Sequence, residues 1–231
     1  MKVQGAALCK HWKWSWVLGA LLAAQPAQAQ PLEPSRFEVR VGPLWTAAVG
    51  FPSVDANQTG SGGDPFRLFA SRSTLGPSVV FEGSLAVRVS RWLQVEALAS
   101  YGKPRATTRI TGDFEGAPDI TIAEETVRAV AQGGLVAHLT RWRFGARATP
   151  FVTAGGGYLR ELHEGQTIVK SGRSYFAGGG LRYSLKARPG SRVQALGLRG
   201  DARVVVRTGG IALDGGTHVS PAVGASVFLG F

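Results

Sequence analysis

The sequence predicts an all-β fold, an eight-stranded antiparallel up-and-down transmembrane β-barrel over residues 30–231, behind a cleavable signal peptide over residues 1–29. Three observations predict it. The first residues are ordered like an export signal. Segments of apolar/polar alternation recur along the rest of the chain. The connections between those segments alternate long and short.

Lys2, Lys10 and Lys13 give a positive start with no acidic residue before Glu33; the apolar run Trp16–Ala24 follows, and Ala27-Gln28-Ala29 ends it with a small-x-small pattern. That run is far shorter than the roughly 20 apolar residues of a spanning helix, so cleavage after Ala29 is expected, and membrane anchoring is not. Cys9 is the only cysteine and lies ahead of the apolar run. No lipid-acceptor cysteine follows, and disulfides do not hold the mature chain.

Beyond the signal, three lysines and twenty arginines interrupt every apolar stretch, so no spanning helix is expected. A hydrophobic content of 44% with 32 glycines is not that of a disordered chain. The formal charge of +11 becomes +8 once the three signal lysines are set aside. Nucleic acid is a poor partner for an exported chain whose arginines are scattered through strand patterns, and anionic lipid headgroups suit the charge better.

The strands follow in order. Phe37–Val41 sets Phe37, Val39 and Val41 on one face against Glu38 and Arg40. Val79–Val89 sets Glu82, Ser84 and Arg88 against Phe81, Leu85 and Val87, and Leu93–Ala97 sets Gln94 and Glu96 on its polar side. Val127–Leu139 places Arg128, Gln132 and His138 together. Phe151–Leu159 leaves its faces undecided, because Val152, Ala154 and Tyr158 are as suitable for lipid as Phe151 and Leu159. Tyr175–Leu185, Leu196–Val206 and Val219–Phe231 complete eight candidate strands. The connections run long over Val49–Ser78, short over Ser90–Trp92, long over Gly102–Thr126 and shorter over Thr140–Ala148. Glu161–Ser174, Lys186–Val193 and Arg207–His218 follow, with the contrast fading. In an outer-membrane barrel the short turns face the periplasm and the long loops face outside. Gly155-Gly-Gly157 and Gly178-Gly-Gly180 fall inside strand patterns, where a narrow barrel uses glycine to admit large side chains from other strands.

The last strand places Val223, Ala225, Val227, Leu229 and Phe231 on one face, with Phe228 departing from the alternation. A terminal strand ending in Phe resembles the signal read by the outer-membrane barrel assembly machinery, with Val223, Val227, Leu229 and Phe231 as its side chains. The chain as a whole resembles the eight-stranded outer-membrane barrel superfamily, which includes the transmembrane domain of outer membrane protein A and outer membrane protein X. Thr149–Tyr158 and Leu196–Arg203 are similar to strands common in such barrels. The resemblance implies a location in the bacterial outer membrane and a structural or surface-interaction role. It also implies a monomer surrounded by outer-membrane lipid and lipopolysaccharide.

A barrel of about eight strands is just wide enough to be filled by side chains. Glu38, Arg40, Glu82, Arg88, Glu96, Arg128, Arg182, Arg199, Asp201 and Arg203 occupy the polar faces and are expected to pair as a lumen charge network. Three alternatives remain. A small channel would conduct past Arg199 and Asp201. A lipid-modifying barrel enzyme would use His218 and Ser220, which share a strand face but have no carboxylate behind them and Pro221 beside them. A soluble periplasmic barrel would bind an apolar ligand. His138 and His163 stand apart from other metal-ligating residues, and no lysine follows the glycine runs to cradle phosphate. No catalytic site, metal or cofactor is expected. Trp92 and Trp142 fall at the short turns with Arg91, Arg141, Arg143, Lys186, Arg188 and Arg192. Arg67, Arg72, Lys103, Arg105 and Arg109 fall in the long connections and are expected to meet lipopolysaccharide or an outside partner.

Overall fold

The computed structural model describes residues 35–59, 63–145, 147–163, 169–187, 191–210 and 216–231. The export signal expected over residues 1–29 lies outside the described residues. The described residues form twelve strands: β1 Phe37–Thr46, β2 Val49–Gly50, β3 Val54–Thr59, β4 Pro65–Leu75, β5 Ser78–Arg88, β6 Leu93–Gly102, β7 Arg105–Thr111, β8 Ile120–His138, β9 Ala148–His163, β10 Val169–Ala187, β11 Ala195–Gly209 and β12 Thr217–Gly230.

Eight of these close a ring in the order β1-β5-β6-β8-β9-β10-β11-β12, with every neighbouring pair antiparallel. The seam joins β1 to β12, from Glu38↔Gly230 to Thr46↔Ala222. Phe37 and Phe231 exchange backbone hydrogen bonds of 3.1 and 2.8 Å just beyond it. Closure leaves no unpaired strand edge in the ring, which is the condition for a sheet to sit in hydrocarbon.

The ring is inverted in polarity. Along β1 the outward side chains are Phe37, Val39, Val41, Pro43 and Trp45, while Glu38 and Arg40 are buried inside. β5, β6, β11 and β12 repeat the pattern, so residues such as Phe81 (69% exposed) and Leu85 (64%) face out, whereas Glu82 and Glu96 face in. β9 takes a definite parity: Phe151 and Leu159 point inward, and Val152 and Tyr158 point outward. Arg160 and Arg173 mark the upper limit of the apolar belt, at the end bearing the long connections. Just below them Trp45, Phe81, Tyr101, Tyr158 and Tyr175 are all exposed around the ring; Phe37, Trp92, Trp142, Tyr183 and Phe231 are exposed at the opposite, short-turn end.

Phe228 breaks the alternation of β12 in sequence but not in space, because it is fully buried in the lumen. It and the two other large luminal aromatics each sit over glycine. A Cβ on Gly155 would lie 2.7 Å from the Phe176 ring, one on Gly180 would lie 2.8 Å from the Phe151 ring, and one on Gly197 would overlap Phe228. Glycine at these strand positions weakens local pairing, and the exchange is a filled interior.

The long connections differ from the loops the sequence suggests. β4 pairs with β2, β3 and β7, and β7 pairs with the first residues of β8, from Ile110↔Ile120 to Arg105↔Glu125. β8 then switches partners and enters the ring at Thr126↔His163 and Gly102↔Arg128. These segments are β-rich in Thr and aromatic content, but both faces carry polar residues, which removes the period-2 signal.

Candidate functional site

The inward positions of each strand follow one another up the barrel axis, which divides the lumen into layers. β11 supplies Arg199, Asp201 and Arg203 in sequence, followed by Val205 and Arg207. Period-2 alternation is what lines these side chains up on one face.

Three arginines and three carboxylates meet in the middle layer. Arg203 Nη1 and Nη2 donate to Glu82 Oε2 and Oε1, both at 2.9 Å, and its Nε donates to Asp201 Oδ2 at 2.8 Å. Arg40 lies 3.1 Å from Glu82, 3.6 Å from Glu96 and 3.5 Å from Asp201, while its Nε donates to Ser84 Oγ at 3.0 Å. Arg199 donates to Glu96 at 3.2 Å. All six are buried. The fork geometry of guanidinium, which meets a carboxylate through two parallel bonds, suits such a dry cluster better than lysine would.

Towards the short turns, Arg182 donates to Glu38 at 2.9 Å, and its guanidinium lies 3.8 Å over the Phe228 ring. Arg199 similarly lies 4.1 Å over Phe151. His138 Nε2 sits 2.9 Å from Gln94 Oε1 in the same layer, and Arg88 is half-buried nearby on the last residue of β5. Above the charge cluster, Leu44, Val80, Leu98, Phe176, Val205 and Ala222 form one apolar layer across the lumen. A cavity of about 30 Å³ passes beside this layer, lined from Glu82 and Arg203 below to Arg128 and Arg207 above. Above that, at the mouth, Arg128 Nε donates to Glu161 at 2.7 Å and Arg207 donates to Ser220 at 3.3 Å.

The ten residues of the expected charge network all point inward, but they form separate groups. Arg40, Glu82, Glu96, Arg199, Asp201 and Arg203 meet in the middle layer, Glu38 and Arg182 pair below with Arg88 near them, and Arg128 stands at the mouth. Glu161 and Arg207 complete the mouth and are absent from the sequence-based set, since both fall in segments that read as connections. Continued alternation from Leu159 to Glu161 and from Val205 to Arg207 is the signal that extends those strands. His218 and Ser220 face inward. His218 stacks edge-on against Phe51 at 4.7 Å, and Ser220 accepts from Arg207. Among the described residues, no cluster of three or more His, Cys, Asp or Glu is placed to hold a metal.

A closed eight-stranded meander with hydrocarbon outside and paired charge inside has the architecture of the small outer-membrane barrels. No protein-family model matches the sequence, and no curated protein matches it. Among solved structures, the crystal structure of Neisserial surface protein A matches with a TM-score of 0.50 at 11% identity, covering 86% of this chain and 99% of that one. The crystal structure of outer membrane protein OprG from Pseudomonas aeruginosa matches with a TM-score of 0.48 at 11% identity, covering 86% of this chain and 94% of that one. The solid-state NMR structure of outer membrane protein AlkL in lipid bilayers gives 0.37 at 18% identity, covering 90% and 93%. At 11% identity, the likeness to Neisserial surface protein A speaks for the fold alone.

Proposed function

We propose that this chain is an integral protein of the bacterial outer membrane with a structural or surface-interaction role, its lumen filled and its long connections outside. The observation that carries the reading is the uncharged outward belt. From Phe37 to Trp45 on β1, and at the matching height on the other ring strands, no charged side chain faces out, and aromatic residues rim both ends. A belt of about 25 Å flanked by aromatic girdles is the exterior of a lipid-embedded barrel. A soluble barrel exposing this much hydrocarbon would aggregate. The apolar layer around Phe176 supports a closed lumen over a conducting one, because an ion would have to shed water to cross it.

The test is membrane fractionation combined with gel mobility before and after boiling in detergent. Outer-membrane recovery and a heat-dependent shift support the proposal. Release by osmotic shock with no shift would overturn it.

The outer sheet supports lipopolysaccharide as its surrounding. Arg72 and Arg109 stand directly opposite on β4 and β7, and with Arg67 they line a surface groove. Arg109 donates to Asp119 at 2.9 Å and Arg67 lies 4.0 Å from Asp55, and the groove's lining still carries three arginines against the one carboxylate of Asp55, a surplus that suits an anion. Charge reversal at Lys103, Arg105 and Arg109 should reduce retention of lipopolysaccharide, and unchanged retention would remove this part of the reading.

A further inference from the structure

The mouth of the barrel contains a cavity of about 180 Å³ that the middle charge cluster does not use. Val49 and Leu75 from the outer sheet, Ala106 and Ile122 from β7 and β8, and Leu159 from the ring supply apolar walls. Glu124, Arg128, Glu161, Lys170 and Arg207 bring charge to the same space. Three cations against two carboxylates leave a net positive charge in a chamber whose remaining lining is mostly hydrocarbon, with Ser73, Thr108 and His218 among it.

Among the described residues that line this space, Arg207 is the one with a buried polar atom left unsatisfied. It is only 9% exposed, its Nη1 donates to Ser220, and its Nε has no acceptor among the described residues. A buried guanidinium N–H without an acceptor is costly, and native structures satisfy nearly all such groups. A carboxylate attached to an apolar body meets the positive surplus that Arg128, Lys170 and Arg207 bring to the chamber and sets hydrocarbon against its apolar walls. The size follows from the volume: an apolar void of about 150 Å³ accepts benzene, and this one is slightly larger.

We propose that the barrel mouth binds a small monocarboxylate with an apolar body of benzene size, its carboxylate on Arg207 and its body among Leu75, Ile122 and Leu159. The site depends on the barrel mouth alone, so its test reads separately from membrane location.

The experiment uses the whole protein in a zwitterionic detergent, with benzoate as probe and binding followed by ligand-observed NMR titration. Benzyl alcohol serves as the neutral control and acetate as the anion without an apolar body. Saturable benzoate binding, at least tenfold tighter than either control, is expected. Arg207→Gln should weaken benzoate at least tenfold while leaving benzyl alcohol nearly unchanged. Ala106→Phe, on a strand outside the ring, should weaken both by filling the chamber. The heat-dependent mobility shift is recorded for each variant. If Arg207→Gln fails to close its barrel, Ala106→Phe decides. Absence of saturable benzoate binding, equal binding of acetate, or benzoate binding indifferent to Ala106→Phe would overturn the proposal.

Discussion

Arg203→Met removes the residue that ties the middle charge cluster together, and its cost follows from what remains. Glu82 loses both of its 2.9 Å bonds and keeps only Arg40 at 3.1 Å. Asp201 loses its 2.8 Å bond and keeps Arg40 at 3.5 Å and Arg199 at 3.9 Å. Three carboxylates then share two guanidinium groups, all of them buried in the lumen. Breaking a buried ion pair from one side costs about 3–5 kcal/mol, and the loss of three charge-assisted bonds puts this substitution within that range. The assay is urea unfolding of the protein in lipid vesicles, read as the fraction retaining folded gel mobility. The second variant, Arg203→Met with Glu82→Met, removes both charges and fills their volume with hydrocarbon. It should recover most of the loss, because an apolar replacement of a whole buried pair is often neutral or stabilising. A single variant costing less than about 1 kcal/mol, with the double variant no better, would refute the reasoning. It would mean that water solvates these charges and that the lumen is a hydrated path.

Three further substitutions test other parts of the molecule. Val41 is 59% exposed at the middle of the outward face of β1, so Val41→Arg should cost about 2–4 kcal/mol in lipid; a cost within about 0.5 kcal/mol, usual for a surface site in water, would argue against a membrane-embedded belt. Gly155→Ala places a Cβ in overlap with the Gly133 carbonyl oxygen and 2.7 Å from the Phe176 ring and should cost about 1–3 kcal/mol or more by overpacking, with Phe176→Leu recovering only the part due to the ring in the same urea assay. Deleting Phe231 removes both of its 2.8 and 3.1 Å backbone bonds to Phe37 at the seam. The heat-modifiable fraction in cells should fall, and an unchanged fraction would show that closure does not depend on the terminal residue.

The ring was legible in the sequence because a lipid-embedded barrel has opposite polarity on its two faces. Glu38 and Arg40 on β1, or Glu82 and Arg88 on β5, set the inward parity wherever a charge marks it. Phe151–Leu159 resisted this reading for a physical reason. The lumen takes up large hydrocarbon side chains outside its apolar layer as well, Phe151 under Arg199 and Leu159 at the mouth, so both faces of that strand are apolar and no charge decides between them. Phe228 looks like an exception to alternation for the same reason: it fills the lumen beside Arg182, over Gly197.

The limit of legibility also has a position in space. Apolar-out, polar-in alternation marks a strand only where one face meets hydrocarbon and the other meets the lumen. Above Tyr158 and Tyr175 burial still alternates, but the outward face turns polar, as at Arg160 and Arg173, and the sequence no longer shows it. β4 and β7 therefore read as loops although they pair in register, and Glu161 and Arg207 read as loop residues although they continue β9 and β11. The mouth cavity is assembled almost entirely from these segments. Its chemistry was hidden because the chain there leaves the regime that makes a barrel periodic. The same departure explains how a small barrel makes room for a site. Below the rim, lipid outside and packing inside constrain each side chain, whereas above it the outer sheet roofs an apolar chamber over Arg207 without interrupting the ring.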